Sequence, residues 1–82
     1  MRNEMLERVI LKNLQRVETG LKEKSLMCAV EIEMDRPDLT TAEFEDAIRS
    51  LEDKALVERY TNLIGDTVWG ITAMGRDALK GL

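Results

Sequence analysis

The stretch from Leu39 to Leu82 reads LTTAEFEDAIRSLEDKALVERYTNLIGDTVWGITAMGRDALKGL and decides the fold. Apolar residues recur three and four positions apart in its first part, which predicts an amphipathic helix with one face toward a core. These apolar residues are Phe44, Ala47, Ile48, Leu51 and Ala55. Thr40 and Glu43 have the spacing of a capping box, in which two side chains satisfy free N–H groups at a helix start. The helix is therefore predicted to begin at Thr40 and to leave its opposite face in water.

A β-hairpin is predicted next, because residues 56–61 and 67–71 are short runs rich in β-branched and aromatic side chains. Gly65-Asp66 supplies turn chemistry between them. A two-residue turn there predicts that Tyr60 pairs with Ile71 and that Asn62 pairs with Trp69. Trp69 and Ile71 then share the face that points at the core.

A closing helix is predicted after Thr72, which can cap it, with Ala73, Met74, Ala78 and Leu79 as its apolar residues. The segments LEDKALVER, from Leu51 to Arg59, and ITAMGRDAL, from Ile71 to Leu79, resemble the winged helix-turn-helix patterns L-E-x-K-G-L-V-x-R and L-T-x-x-G-R-x-x-L. Ala55 replaces the usual glycine. The resemblance implies one small α+β winged helix-turn-helix domain over residues 1–82, with a three-helix core, a two-stranded wing and a short C-terminal helix.

The N-terminal half is predicted to supply two further helices. The first runs from Asn3 to about Glu18 and ends before Gly20. The segment from Leu26 to Met34 has two interpretations. Its strict alternation of apolar residues favours a strand, whereas its Leu, Met, Ala and Glu content and a cap at Ser25 favour a helix. The helix is preferred because it gives helix-turn-helix spacing, with a break enforced at Arg36 by the following proline.

Composition argues against catalysis and against a membrane span. The 82 residues include no histidine, a single cysteine and no long apolar run, and the net charge is −4. No phosphate-binding loop, nucleophile–base pair or metal-ligand spacing is present, so the predicted protein is non-enzymatic, has no cofactor and is cytoplasmic. Cys28 is predicted to be a buried free thiol.

Two partner hypotheses rest on the outward face of the central helix and on the hairpin turn. The outward residues that carry the argument are Glu45, Asp46, Arg49, Ser50 and Asp53. Their acidity, together with the apolar turn residues Leu63 and Ile64, favours a regulatory module that binds a protein partner. The alternative is a small dimeric DNA-binding transcription regulator that uses Arg49, Ser50 and the wing.

The first helix also carries a candidate dimer contact. Leu11 is predicted to lie on the outer, polar face of that helix, with Met5 on its flank. A small domain buries a modest core, so a homodimer formed through Met5 and Leu11 would add stability.

Overall fold

The computed structural model describes residues 4–17 and 19–81. The elements, in chain order, are α1 (Glu4–Gln15), β1 (Leu21–Lys22), α2 (Glu23–Met34), α3 (Thr41–Asp53), β2 (Val57–Thr61), β3 (Thr67–Ile71) and α4 (Ala73–Lys80). The strands form one antiparallel sheet in the order β1-β3-β2. This is a small α+β winged helix-turn-helix architecture, in which α2 and α3 form the helix-turn-helix and β2–β3 form the wing.

The helix α1 lies at the centre of the domain and contacts α2, α3, α4 and β3. The largest fully buried side chains come mainly from α1 and α3: Leu6, Ile10, Leu14, Leu26, Val30, Phe44, Ile48 and Leu51. The prediction that Leu11 lies on the outer face is wrong, because Leu11 is 3% exposed and belongs to the core cluster. A helix that is contacted from several sides buries more of its circumference than one apolar stripe. The predicted ends of α1 at Asn3 and Glu18 lie outside the described residues.

The segment from Leu26 to Met34 is helical, as preferred from its composition. The helix α2 starts at Glu23, after Lys22 in an extended conformation and without a side-chain cap, so Ser25 is not its cap. The alternation of apolar residues suggested a strand, although some of these apolar residues do not belong to the core. Leu26 and Val30 are buried at helical spacing, whereas Cys28 and Ile32 are exposed. The prediction that Cys28 is a buried thiol is therefore wrong.

Both helices of the helix-turn-helix end in a left-handed residue that is not glycine. Asp35 follows α2 with φ 53°, and Ala55 follows α3 with φ 62°. After α3, the N–H of Ala55 donates to the carbonyl of Glu52 at 2.9 Å and the N–H of Leu56 donates to that of Leu51 at 3.0 Å. These are the two hydrogen bonds of a Schellman motif, which normally places glycine where Ala55 stands.

The sheet differs from its prediction in two respects. Residues 21–22, which lie between the two predicted N-terminal helices, form β1, which pairs Leu21 with Trp69 on β3. The predicted wing register is wrong, because Arg59 pairs with Trp69 and Val57 pairs with Ile71. The loop between β2 and β3 holds five residues, not two. The side chain of Asn62 stabilises this longer loop by accepting hydrogen bonds from two N–H groups within it. The expectation that Trp69 and Ile71 pack toward the core is confirmed.

The start of α4 is tied to the end of α3. The hydroxyl of Thr72 caps α4 by accepting from the N–H of Gly75, as predicted. The same hydroxyl donates to the carbonyl of Ala55 at 2.7 Å, and the N–H of Thr72 donates to the carbonyl of Leu56 at 3.1 Å. Of the predicted apolar residues of α4, Leu79 packs against the core, whereas Met74 is exposed.

Candidate functional site on α3 and the wing

The exposed side of α3 is the first component of the candidate site. Four residues of α3 are buried, namely Phe44, Ala47, Ile48 and Leu51. On the other side Asp46, Arg49 and Asp53 are exposed, and Glu45 and Ser50 are half-buried. We call these five residues the α3 face. The helical periodicity of the sequence located the face correctly, because it divides α3 into one apolar and one polar side.

Arg49 lies at the centre of the α3 face, and its side chain is exposed. The sequence places Glu45 and Asp53 one turn away on either side, where side chains of opposite charge can interact. Within residues 4–17 and 19–81, however, no carboxylate lies within 4.0 Å of the Arg49 guanidinium. Arg49, Ser50 and Asp53 line an open groove together with Asp46 and Lys54. All the donors of Arg49 therefore remain available to a partner in that groove.

The acidic residue in the first turn of α3 repels anions less than the sequence alone indicates, because it is paired with an arginine. Glu43 is held at the helix start by Thr40, whose hydroxyl accepts from the Glu43 N–H at 3.1 Å. The Arg36 guanidinium donates to the Glu43 carboxylate at 3.1 Å and lies 3.5 Å from Asp38. The hydrogen bond from Arg36 lowers the pKa of Glu43, and the same bond raises the pKa of Arg36. The charge of Glu43 is thus largely offset before any partner arrives.

A small cavity of about 170 Å³ lies where α3 meets the wing and the start of α2. It is lined by Glu23, Glu45, Ile48, Arg49, Glu52, Arg59 and Trp69, and we call it the junction cavity. The Arg59 guanidinium lies 5.6 Å from the centre of the Trp69 ring and 3.9 Å from the Glu52 carboxylate. Sequence reasoning missed this cluster. Trp69 was predicted to be a core residue, and the contact with Arg59 follows from the true strand register.

The tip of the wing presents two apolar side chains on an ordered loop. Leu63 is fully exposed and Ile64 is 78% exposed. Their loop is held by the hydrogen bonds to Asn62 and by an ion pair of 2.8 Å between Asp66 and Lys22 on β1. The prediction that Leu63 and Ile64 lie exposed on a turn is confirmed, although their contact with a partner stays a prediction.

The structure does not bring the two predicted dimer residues together on one surface. Met5 is 64% exposed, whereas Leu11 is buried. The N-terminal half of α1 also holds Glu7, which is buried and accepts from the Lys54 ammonium at 2.9 Å. Leu11 is therefore not available to an interface, and a dimer contact through Met5 stays a prediction.

Among the described residues, no group of three or more Cys, Asp or Glu side chains is arranged to hold a metal ion. Within the same residues, no helix has the length and apolar character that crossing a bilayer requires.

Comparisons with known proteins identify the fold and go no further. No protein-family model matches the sequence, and no match was found among curated proteins. Among solved structures, the chain is similar to the crystal structure of SSV1 F-93, with a TM-score of 0.77 and 24% sequence identity. The similarity covers 93% of this chain and 79% of that chain. At this level of identity the likeness establishes a shared winged-helix architecture.

Proposed function

We propose that this protein is a DNA-binding winged-helix regulator that places the α3 face in the major groove of duplex DNA. One observation carries the proposal, namely that the guanidinium of Arg49 at the centre of that face is exposed and has no ion pair within residues 4–17 and 19–81. In helix-turn-helix proteins the second helix enters the major groove, and here the second helix is α3. Arg49 can donate two hydrogen bonds to a guanine edge, and Ser50 can contact a base or a phosphate.

The charges of the α3 face set what kind of DNA binding is expected. DNA phosphates would be repelled by the carboxylates of Glu45, Asp46 and Asp53. Each protomer can therefore neutralise only a few phosphate charges. The logarithm of the binding constant should then fall with the logarithm of salt concentration with a slope of roughly −1 to −2 per protomer. A carboxylate in the groove can also accept from the amino group of cytosine. We therefore expect weak binding to generic DNA and a larger gain at a matched sequence.

A salt series with generic duplex DNA tests the proposal, with binding measured by fluorescence anisotropy of labelled DNA. We expect micromolar, salt-sensitive binding at low salt, reduced at least about tenfold in Arg49→Glu. The matched control is Arg8→Glu, which makes the same charge change at an exposed position of α1. Absence of binding at low salt would remove the DNA proposal, as would equal losses in the two variants.

A homodimer would strengthen such binding, because two copies of α3 could enter successive major grooves about 34 Å apart. Met5 remains the exposed residue proposed for that contact. Sedimentation of Met5→Glu tests it, since loss of a dimer mass is expected if Met5 lies in the interface. A buried residue such as Leu11 is unsuitable for this test, because its replacement by a charge would unfold the domain.

A protein partner is the second candidate, and the wing tip favours it. Leu63 and Ile64 place two large apolar side chains in water on a loop that is held in place, which suits a protein contact. The double variant Leu63→Ser, Ile64→Ser should keep its stability and lose a partner captured from the native host. Severe unfolding of the double variant would show that these side chains support the core instead.

A further inference from the structure

Glu7 is a buried carboxylate on the central helix α1, and it is paired with a lysine at the end of α3. The Glu7 side chain is 8% exposed, and its carboxylate accepts from the Lys54 ammonium at 2.9 Å. Glutamate is almost never buried to this degree unless it is paired. Such a pair is weak evidence for stability, because the cost of removing two charges from water offsets their attraction. Stability alone therefore does not account for the pair.

Lys54 is the more exposed member of the pair and lies beside the α3 face. It follows the last residue of α3 directly, and its side chain is 37% exposed. It lines the same open groove as Arg49 and Ser50. Two described residues of that groove are cations, and Glu7 holds one of them, so Arg49 is the cation that remains free for a partner.

We propose that Glu7 limits non-specific DNA binding by withholding Lys54 from the phosphates. This inference rests on the proposed function, because the groove faces the DNA when α3 lies in the major groove. If Lys54 moved to a phosphate, it would leave Glu7 as a buried charge without a partner, which is strongly unfavourable. An exposed ammonium–phosphate contact returns less than this loss, because water and salt screen it. Lys54 therefore stays with Glu7 when DNA binds.

The consequence is a gain in discrimination between DNA sequences. A cation that contacts a phosphate adds affinity for every sequence alike, whereas a base contact such as that of Arg49 favours one sequence. Withholding Lys54 lowers the first contribution and leaves the second unchanged. Glu7 is in this sense a positioning residue, since it acts on DNA binding through Lys54 and does not contact DNA itself.

Removal of the Glu7 carboxylate tests the inference, because it frees Lys54 and leaves the α3 face intact. Affinity for a generic labelled duplex is measured by fluorescence anisotropy between about 50 and 200 mM salt. In Glu7→Met the plot of log affinity against log salt should become steeper by about 0.9, which makes the loss of affinity over this range about 3.5-fold greater. The matched control is Glu4→Met, which removes the same charge at an exposed position of α1 and should keep the wild-type slope.

The lysine variants show whether the gain passes through Lys54. Lys54→Met alone should keep the wild-type slope, because Lys54 makes no phosphate contact while Glu7 holds it. The double variant Glu7→Met, Lys54→Met should return to the wild-type slope. A pair with a merely structural role would change stability and leave the salt dependence of binding unchanged. Circular dichroism checks the fold, and if Glu7→Met does not fold, Glu7→Gln removes the charge with less change of shape and should steepen the slope in the same direction.

Three results would overturn the inference while DNA binding itself stands. These are a wild-type slope in the folded Glu7 variant, an equally steep slope in Glu4→Met, and a flatter slope in Lys54→Met alone. The last result would show that Lys54 contacts a phosphate in the wild-type complex. Absence of binding at low salt by both the wild type and the Glu7 variant would instead remove the proposed function, and this inference with it.

Discussion

The left-handed conformation of Ala55 predicts that Ala55→Gly stabilises the domain. Ala55 has φ 62° and occupies the position of the Schellman motif that glycine normally takes. For an L-residue with a Cβ atom, this conformation costs roughly 1–2 kcal/mol relative to right-handed backbone, and glycine does not have this cost. Glycine loses about 0.4–1 kcal/mol more conformational entropy on folding. The difference leaves a net gain of about 0.5–1 kcal/mol.

Urea unfolding and thermal unfolding, both followed by circular dichroism, measure this gain. For a domain of this size, about 0.5–1 kcal/mol corresponds to a rise in Tm of roughly 2–8 °C. The control is Ala29→Gly, in the interior of α2, which should lower stability by about 1 kcal/mol because glycine is a poor helix former. If Ala55→Gly lowered stability as Ala29→Gly does, then Ala55 would be helical, and α3 would not end where we describe.

Three further predictions concern other contacts. Gly75→Ala should lower stability by about 1–3 kcal/mol, because a methyl group there would overlap the main-chain carbonyl that precedes β2; an unchanged urea midpoint would contradict this packing. Lys54→Met should lower the free energy of unfolding by about 1–3 kcal/mol in the same assay, since it leaves the buried carboxylate of Glu7 without its cation. A stabilised variant would show that the pair contributes nothing. Arg36 lowers the pKa of Glu43, so the stability that the Glu43 carboxylate contributes to the fold is fully present above the ordinary carboxyl pKa. That stability is lost as pH falls through the lowered pKa of Glu43. The stability difference between wild type and Glu43→Gln should therefore shrink on acidification, and a difference independent of pH would refute the ion pair.

The helices were predictable from sequence because their caps and periodicity are local. Thr40 and Thr72 each accept from an N–H three residues later, and this spacing is visible in the sequence. Gly75 illustrates a second kind of local signal. The winged-helix pattern has glycine at this position, and the structure supplies the reason, because the backbone passes too close for any side chain. At Ala55 the pattern's other glycine is absent, and the chain adopts the left-handed conformation nevertheless.

The errors arose where several elements meet. Leu11 lies on the polar side of a helical projection, yet α1 is enclosed by neighbours on more than one side. The two-residue strand at Leu21 is too short to show any periodicity, and it exists because β3 offers a free edge. The wing register depended on the side chain of Asn62, which stabilises a longer loop than the Gly-Asp pair suggested. The position of the junction cavity follows from that register, so the cavity could not be predicted from the sequence either.

The net charge of −4 does not show by itself where negative charge lies on the α3 side of the molecule. Glu43 is paired with Arg36, Glu52 lies near Arg59, and Asp66 is paired with Lys22. Each pair offsets one carboxylate with one cation, so these six groups together add no net charge for an approaching phosphate.

The carboxylates that remain on the α3 face are Glu45, Asp46 and Asp53, and its cation is Arg49. A face of this kind cannot hold DNA tightly through phosphate contacts alone, because each neutralised phosphate requires a cation. Affinity would then have to come from base contacts, from a second protomer, or from both. Binding to generic DNA that was tight and steeply salt-dependent would therefore contradict the role given to Arg49, even though it would establish that the protein binds DNA.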